Sequence, residues 1–541
     1  MMRAIVRYFW ALAKEVFFLT KVGAPKIAKD LDKSVSEFIA INKTHWPMHD
    51  CHRKGVLIEG HLSQYGPNYL LRTAVAARAI QEKTGMDVDV VFNGFSHQWV
   101  LAKKVYASFG INNWVYLDSY FFLSNFVFFV LSRIRAIAYV LKLRSPEDIL
   151  KIRFDGIKVG DLIYDDVIRD KKSRTIFRID WDVMKAIAKS LFFYFQYRSF
   201  FKNRSYVYYI STHTAYSEYG LLCRVALMCG VKVIETSDIQ MSFYNKISND
   251  FLPTYHDGIK NSILAGINNC QARLDHLCVE AKESLRQRLD SEIGQIDAKK
   301  AYCGRVYTRA DLGQALGLNC AEKIVFILAH VFSDAPHLSS AMLHADYFQW
   351  LASTLNVCAK SKNVQWVIKP HPSSVIYGEN GLVEKMVADI KSNNIHICPA
   401  DLNTKSLSLC ADALVTVHGT AGLEYSCLGI PAVLAGQPFY SGFGFTIEPD
   451  SIEDYEERLL NIHDVGRLSD DQIRAALEVY SIWNQQFDWH NPIITSEVLA
   501  NVWGSGVPRD LTNAYRLITE NIRFTDPRKL KLWEFVQGVA E

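Results

Sequence analysis

The chain has 541 residues, of which 49% are hydrophobic and 22% charged, with a formal net charge of +3. This composition excludes extended disorder, and the near-balanced charge argues against nucleic acid as a partner. A chain of this length exceeds one ordinary core, so two large domains with additional helical segments are expected.

Ala4 to Leu19 is apolar and aromatic but interrupted by Arg7, Lys14 and Glu15, and no small-residue cleavage site follows. It reads as neither signal peptide nor membrane span. Residues 1–54 are expected to form a helical segment that lies on a membrane surface or packs against the C-terminal domain. A first Rossmann-like domain is expected over residues 55–300. Gly55 to Glu59 reads as a strand, Tyr69 to Lys83 as a helix and Val88 to Phe92 as the next strand, one βαβ unit. His61 and Gln64 then sit at a strand end, where an open α/β sheet collects ligands, although a solvated loop explains the same residues.

A helical insertion is expected over about 119–205. Within it Tyr120 to Leu143 is strongly apolar and followed by basic residues, too short to span a bilayer; membrane contact and a buried helix pair are the two readings. Further on, Asp161, Asp165 and Arg169 are four apart, so a helix aligns them on one face. They form either an ion network or an acceptor-binding site, with Arg169 suited to a carboxylate or phosphate. Tyr206 to Ile210 reads as a strand that delivers His213 to the same kind of strand end. The charge-rich stretch 261–300 reads as an inter-domain connector.

A second Rossmann-like domain is expected over 301–498. Ile324 to Leu328 is an apolar strand that ends in a loop holding His330, Asp334 and His337. Val364 to Ile368 is another, and it runs into Lys369-Pro370-His371-Pro372, where two prolines hold His371 in one orientation. Ala413 to Val417 is a third, followed by His418, Gly419, Thr420, Gly422 and Glu424. Glycines there suit a sharp turn with unpaired amides at a helix start, and Thr420 and Glu424 share a helical face. A phosphate at the amides and a ribose on Glu424 fit this pattern; an ordinary glycine turn with a surface Glu also does. Residues 499–541 read as a helical tail. The 11 cysteines are scattered: Cys223/Cys229 and Cys270/Cys278 lack the paired spacing of a zinc site. Reduced thiols, a cytoplasmic location and no metal ligands are expected.

The segments Lys369-Pro370-His371-Pro372, His418-Gly419-Thr420 with Gly422 and Glu424, Gly429-Ile430-Pro431, and Gln437-Pro438 to Gly444-Phe445-Thr446 resemble the capsule and surface polysaccharide synthesis proteins. These are glycosyltransferases of GT-B type that include bacterial Kdo transferases. The resemblance covers about the last 200 residues well and the first half in outline. Many members carry Asn-Ser-Thr where this chain has His418-Gly419-Thr420. The resemblance implies two Rossmann-type domains facing a cleft, with the last helix crossing back to the first. It implies transfer of a sugar, Kdo or a related acidic sugar from a CMP-sugar among the candidates, to a glycan or lipid-linked acceptor, at the inner face of the membrane. It implies no cofactor beyond the donor. Lys369, His418, Gly419, Thr420, Gly422, Glu424 and Tyr440 become the candidates for holding the donor nucleotide. His371, Asp334, His330 and His337 become the candidates for catalysis, and His61, Gln64, His213, Asp161 and Arg169 for the acceptor. Three rival readings share these features: a nucleotide-sugar 2-epimerase, a CDP-glycerol-type glycerophosphotransferase and a non-catalytic glycan-binding assembly protein.

Overall fold

The computed structural model describes residues 29–47, 53–60, 66–92, 99–117, 123–171, 174–237, 241–245, 255–269, 274–292, 300–337, 341–488, 491–504 and 508–540. The expected N-terminal apolar segment, His61 and Gln64 lie outside these residues. The chain divides into two compact units, residues 1–125 with 492–541, and residues 126–491. The expected boundary near residue 300 is therefore not where the chain divides.

The first unit contains three parallel strands, β1 (Arg53–Glu59), β2 (Met86–Phe92) and β3 (Asn113–Tyr116), with β2 in the middle. The connection from β1 to β2 is the helix Pro67–Thr84, which starts at a proline and stops at Gly85 in the left-handed region. The C-terminal tail returns to this unit. Tyr515 packs edge-on against Phe38 at 5.7 Å, Trp533 lies 5.9 Å from Trp46, and Gln537 donates from Nε2 to the Ala79 carbonyl at 2.7 Å. The tail residues Tyr515, Leu530 and Leu532 are buried, as packing residues should be.

The second unit begins within the helix Leu123–Val140, and a short hairpin follows, β4 (Arg153–Phe154) with β5 (Ile157–Lys158). The helix Gly160–Lys171 follows directly. Its start requires glycine, because a Cβ on Gly160 would sit 2.0 Å from the Ile149 carbonyl oxygen. Next come the helix Trp181–Lys202, the parallel pair β6 (Tyr208–Ser211) and β7 (Lys232–Thr236), and β8 (Met241–Tyr244) antiparallel to β7.

The unit's second sheet is wholly parallel and has five strands: β9 (Lys323–Leu328), β10 (Val364–Lys369), β11 (Ile395–Ile397), β12 (Ala413–Thr416) and β13 (Ala432–Leu434). Their order is β11-β10-β9-β12-β13, the Rossmann order, in which the direction of winding reverses between β9 and β12. Alternate residues feed two cores. Ile324, Phe326 and Leu414 face one cluster, and Val325, Ile327 and Val415 face the other. Burial on both faces explains why these strands are near-continuous apolar runs.

The supposed connector is part of this unit. Leu277, Ala281, Leu285 and Leu289 of the helix Leu274–Leu289 are buried, the last three in the same cluster as Leu423, Tyr480 and Trp483. The four-residue spacing gives the helix one apolar stripe, and its charges other than the buried Arg288 lie off that stripe.

Candidate functional site

The switch point lies between the loops that leave β9 and β12, where a doubly wound sheet opens a crevice. His330, two residues after β9, reaches across it. Its Nε2 accepts from the backbone amides of Val417 and His418, 3.3 Å each, and lies 3.2 Å from Thr416 Oγ1. With Nε2 accepting two amides, the ring proton belongs on Nδ1. The ring stacks on Tyr347 at 4.2 Å and 14°. His418 is buried rather than open to the crevice: Nδ1 pairs with the Tyr347 hydroxyl at 3.0 Å and the ring fills the space beside Gly436.

The glycine turn after β12 departs from the expected anion cradle in three ways. The Gly419 amide donates to Thr416 Oγ1 at 3.3 Å and the Gly422 amide to the Gly419 carbonyl at 3.0 Å, so both already have acceptors. Tyr440 is buried and donates its hydroxyl to the Gly419 carbonyl at 2.6 Å; a Cβ on Gly422 would meet that hydroxyl at 2.3 Å. Glu424 is 2% exposed, and its two oxygens accept from Arg288 Nε at 2.8 Å and the Tyr302 hydroxyl at 2.6 Å. A ribose would have to displace partners that neutralise a buried carboxylate. Of this group Thr420 alone, at the turn into the six-residue helix Ala421–Ser426, remains half-buried without a side-chain cap bond.

Lys369 and His371 do end β10, as the sequence suggests. Lys369 Nζ donates to the Leu402 carbonyl at 3.3 Å, and burial lowers its pKa. His371 Nδ1 accepts from the Ser373 amide at 3.1 Å, which caps the loop and leaves its proton on Nε2. Beyond it, Glu379 was not marked by any sequence pattern. It is buried and accepts from the Phe332 and Ser333 amides and the Ser333 hydroxyl at 2.7, 3.0 and 2.7 Å. One carboxylate thus ties the loop after β10 to the loop after β9.

The helix Gly160–Lys171 brings its charges to the β9 loop, but not as one face. Asp161 is sealed in a two-pronged pair with Arg224, 2.8 and 2.6 Å, so it does not meet substrate. Arg224 is a lone charge in the apolar helix Leu221–Met228, and that was the available signal that a buried partner exists. Asp165 lies 2.6 Å from His337 Nδ1, whose Nε2 donates to the Ala345 carbonyl at 2.9 Å. Burial opposes a charged His337, but Asp165 by charge and hydrogen bond, with Asp161, raises its pKa. His337 is therefore a buried tie that holds the helix. Tyr164 adds a second, donating to Asp346 at 2.8 Å, where Asp346 also caps the helix Tyr347–Cys358. Arg169, at the exposed end, stays outside. It hydrogen-bonds the Tyr216 hydroxyl and stands 3.7 Å from Asp334.

Tyr216 and Ala335 have positive φ, 60° and 40°, and pack together with Ala215. Such non-glycine conformations cost of order 1–3 kcal/mol each and persist where the surroundings over-determine them. Tyr216 also begins a π-helical turn, Tyr216–Gly220, a feature frequent at functional sites. His213 lies 5.8 Å from the Tyr216 ring and accepts from the Ala215 amide; burial and Arg169 push its pKa down to about 4, so it is neutral near pH 7. Arg169, Asp334, Tyr216 and His213 thus form one half-open cluster: a fixed guanidinium for an anion, a carboxylate, a phenol and a neutral imidazole.

Residues 295–464, which carry the switch-point loops, match the family described as capsule polysaccharide biosynthesis protein. The matched region includes Asp334, His330, Lys369, His371 and the glycine turn, whereas Arg169 and His213 precede it. No curated protein matches the chain. Among solved structures, the chain is similar to the Thermosulfurimonas dismutans KpsC β-Kdo 2,4 transferase at 15% identity, over 52% of this chain and 85% of that one, with a TM-score of 0.32. It is similar to Anabaena Alr3699/HepE in complex with UDP and glucose at 12%, over 84% and 100%, TM-score 0.27. The S. aureus MnaA–UDP structure matches at 12%, over 83% and 95%, TM-score 0.25. Likenesses at these TM-scores bear on neither substrate nor mechanism.

Two outcomes follow from the buried carboxylates. Glu424→Gln is expected to lower the melting temperature, the equivalent of about 3–5 kcal/mol for breaking a buried pair. Isothermal titration with a nucleotide at a temperature where the variant is folded should show affinity equal to the parent; weakened binding would return Glu424 to the nucleotide site. Glu235, buried at the end of β7, accepts from Tyr244 and Thr214, and burial raises its pKa from 4.5 to about 7. A raised carboxyl pKa gives stability that is present below the unfolded value and lost as pH rises through the folded one. Glu235→Gln should therefore gain stability relative to the parent between about pH 5 and about pH 8, by roughly 2–3 kcal/mol. Parallel melting curves across that range would contradict the assignment.

Proposed function

We propose that the protein is a GT-B glycosyltransferase of bacterial capsule or surface polysaccharide biosynthesis. It acts in the cytoplasm at the inner face of the membrane, and transfers a sugar from a nucleotide donor to a glycan or lipid-linked acceptor. The observation that carries this reading is the match of residues 295–464 to the capsule-synthesis family, because that region holds the strand-end loops at the sheet's switch point. The donor nucleotide is assigned to the crevice bordered by Thr420, Lys369 and His371. Departure of a nucleotide phosphate needs charge neutralisation that strengthens as the bond breaks. Lys369 supplies a cation at the end of β10, and His371, with its proton on Nε2, supplies a donor.

Arg169 supports an acidic sugar, Kdo or a relative carried by CMP, as the transferred group. Its planar fork suits a carboxylate, and its neighbour Asp334, half-buried, is the carboxylate best exposed for proton transfer or attack. His330 orients the β12 loop through its two amide bonds. No cofactor beyond the donor is assigned, and the reaction is proposed to need no metal.

A panel of CMP- and UDP-sugars, assayed for nucleotide release with and without capsular oligosaccharide acceptor, tests this directly. Acceptor-dependent release that persists in a chelator is the expected result. Conversion of donor without acceptor would indicate an epimerase, and turnover of CDP-glycerol alone a glycerophosphotransferase. His371→Ala should lower kcat more than it raises the donor KM. Arg169→Gln should lower kcat/KM by about 10²-fold or more if the guanidinium meets substrate charge, with an unchanged melting temperature because the side chain is half exposed. Loss of melting in proportion to loss of activity would reduce either residue to a structural role.

A further inference from the structure

The helix Leu123–Val140 has its polarity reversed. A helix of a globular protein turns its apolar stripe inward. Here the buried positions include Asn125, Ser132 and Ala136, while Phe126, Val127, Val130, Leu131, Ile134 and Ile137 face outward. Phe126 is 61% exposed, Ile134 60%, and Leu141 in the following turn 80%. Phe126, Val130, Ile134 and Ile137 follow one another at spacings of four, four and three, so they form a continuous ridge of roughly 16 Å. A contiguous exposed ridge of large apolar side chains marks an interaction surface rather than ordinary scatter.

The helix is held from behind, so the ridge is a built surface. Phe128 packs on Phe195 of the helix Trp181–Lys202 at 5.9 Å, and Tyr139 packs on Phe154 at 5.6 Å and donates to the Arg153 carbonyl at 2.8 Å. Charge accompanies the ridge. From residue 123 to 144 there are four basic residues, Arg133, Arg135, Lys142 and Arg144, and no acidic one. The Arg133 guanidinium lies 3.7 Å from the Phe129 ring centre and that of Arg135 5.1 Å from the Phe195 ring centre, so both cations rest against aromatic faces beside the apolar residues. Among the described residues no helix is long and apolar enough to cross a membrane.

We propose that the outer face of the helix Leu123–Val140 is a membrane-docking surface that lies in the headgroup region of an anionic bilayer, with the ridge toward the acyl chains. An apolar ridge with flanking cations is the pattern of an interfacial helix, whose binding combines apolar burial with attraction to anionic lipid. A second copy of the chain fits less well. An isologous pairing of this face would bring the arginines of one copy to those of the other without an acid on the segment to neutralise them. The inference stands apart from the proposed transfer reaction, since it rests on the helix alone.

Flotation of the full chain with vesicles of pure phosphatidylglycerol and of pure phosphatidylcholine, at low and high salt, tests it. The parent should float with phosphatidylglycerol at low salt and be released by high salt. The triple variant Phe126→Gln, Ile134→Gln, Ile137→Gln alters exposed positions only, so its melting temperature should match the parent while vesicle binding falls about tenfold or more. The pair Arg135→Glu, Lys142→Glu should abolish the preference for phosphatidylglycerol. Equal flotation of parent and triple variant would overturn the proposal, as would absence of parent binding at low salt. So would a parent dimer, seen by sedimentation, that the triple variant makes monomeric without any vesicle binding.

Discussion

The candidate site depends on one buried contact, the pairing of Asp165 with His337. The helix Gly160–Lys171 and the loop after β9 are 172 residues apart in sequence; Leu162, Ile163, Val167 and Ile168 bury the helix, and the pair fixes it to the loop. The pair joins them because burial raises the energy of either charge in isolation, whereas together, with the Ala345 carbonyl accepting from Nε2, the imidazole has both nitrogens engaged. Tyr164 with Asp346, and Arg224 with Asp161, repeat the arrangement along the same helix. Three successive ties leave the end of the helix with little freedom, and Arg169 is carried to Asp334 and Tyr216 as a result. A guanidinium held by a fixed helix meets an anion with less ordering to do than one on a free loop.

The same economy explains why the switch point differs from a simple phosphate cradle. His330 occupies the amides of Val417 and His418, and Tyr440 locks the Gly419 carbonyl. These contacts fix the glycine turn before any ligand arrives. Backbone strain at Tyr216 and Ala335 sits beside Arg169 and Asp334. Glu379 binds the Phe332 and Ser333 amides just before Ala335, and Tyr216 opens the π-helical turn.

Much of the architecture was legible because a parallel sheet buried on both faces leaves apolar runs that nothing else explains. The strands beginning at Lys323, Val364 and Ala413 were readable on that ground, and prolines and glycines bounded them. What the runs cannot encode is the partner of a charge. Asp161, Asp165 and Arg169 share a spacing of four, yet packing gives each a different neighbour: Arg224, His337 and Asp334. Glu424 sits where a ribose ligand would be expected in a glycine turn, and only the return of the helix Leu274–Leu289 brings Arg288 to close it. That helix was itself misread, since its charges outnumber the Leu277, Ala281, Leu285 and Leu289 stripe. Glu379 left no trace in sequence, because a carboxylate in a loop is unremarkable until two backbone amides meet it.

A double-mutant cycle of Asp165→Asn and His337→Gln, read by chemical denaturation followed at a probe in residues 126–491, tests the tie most directly. Each single change should be strongly destabilising, and the double variant should be less destabilised than the sum, with a coupling of about 1–3 kcal/mol. Additive effects, with no coupling beyond experimental error, would show that the two residues do not depend on each other and that the helix Gly160–Lys171 is placed by something else.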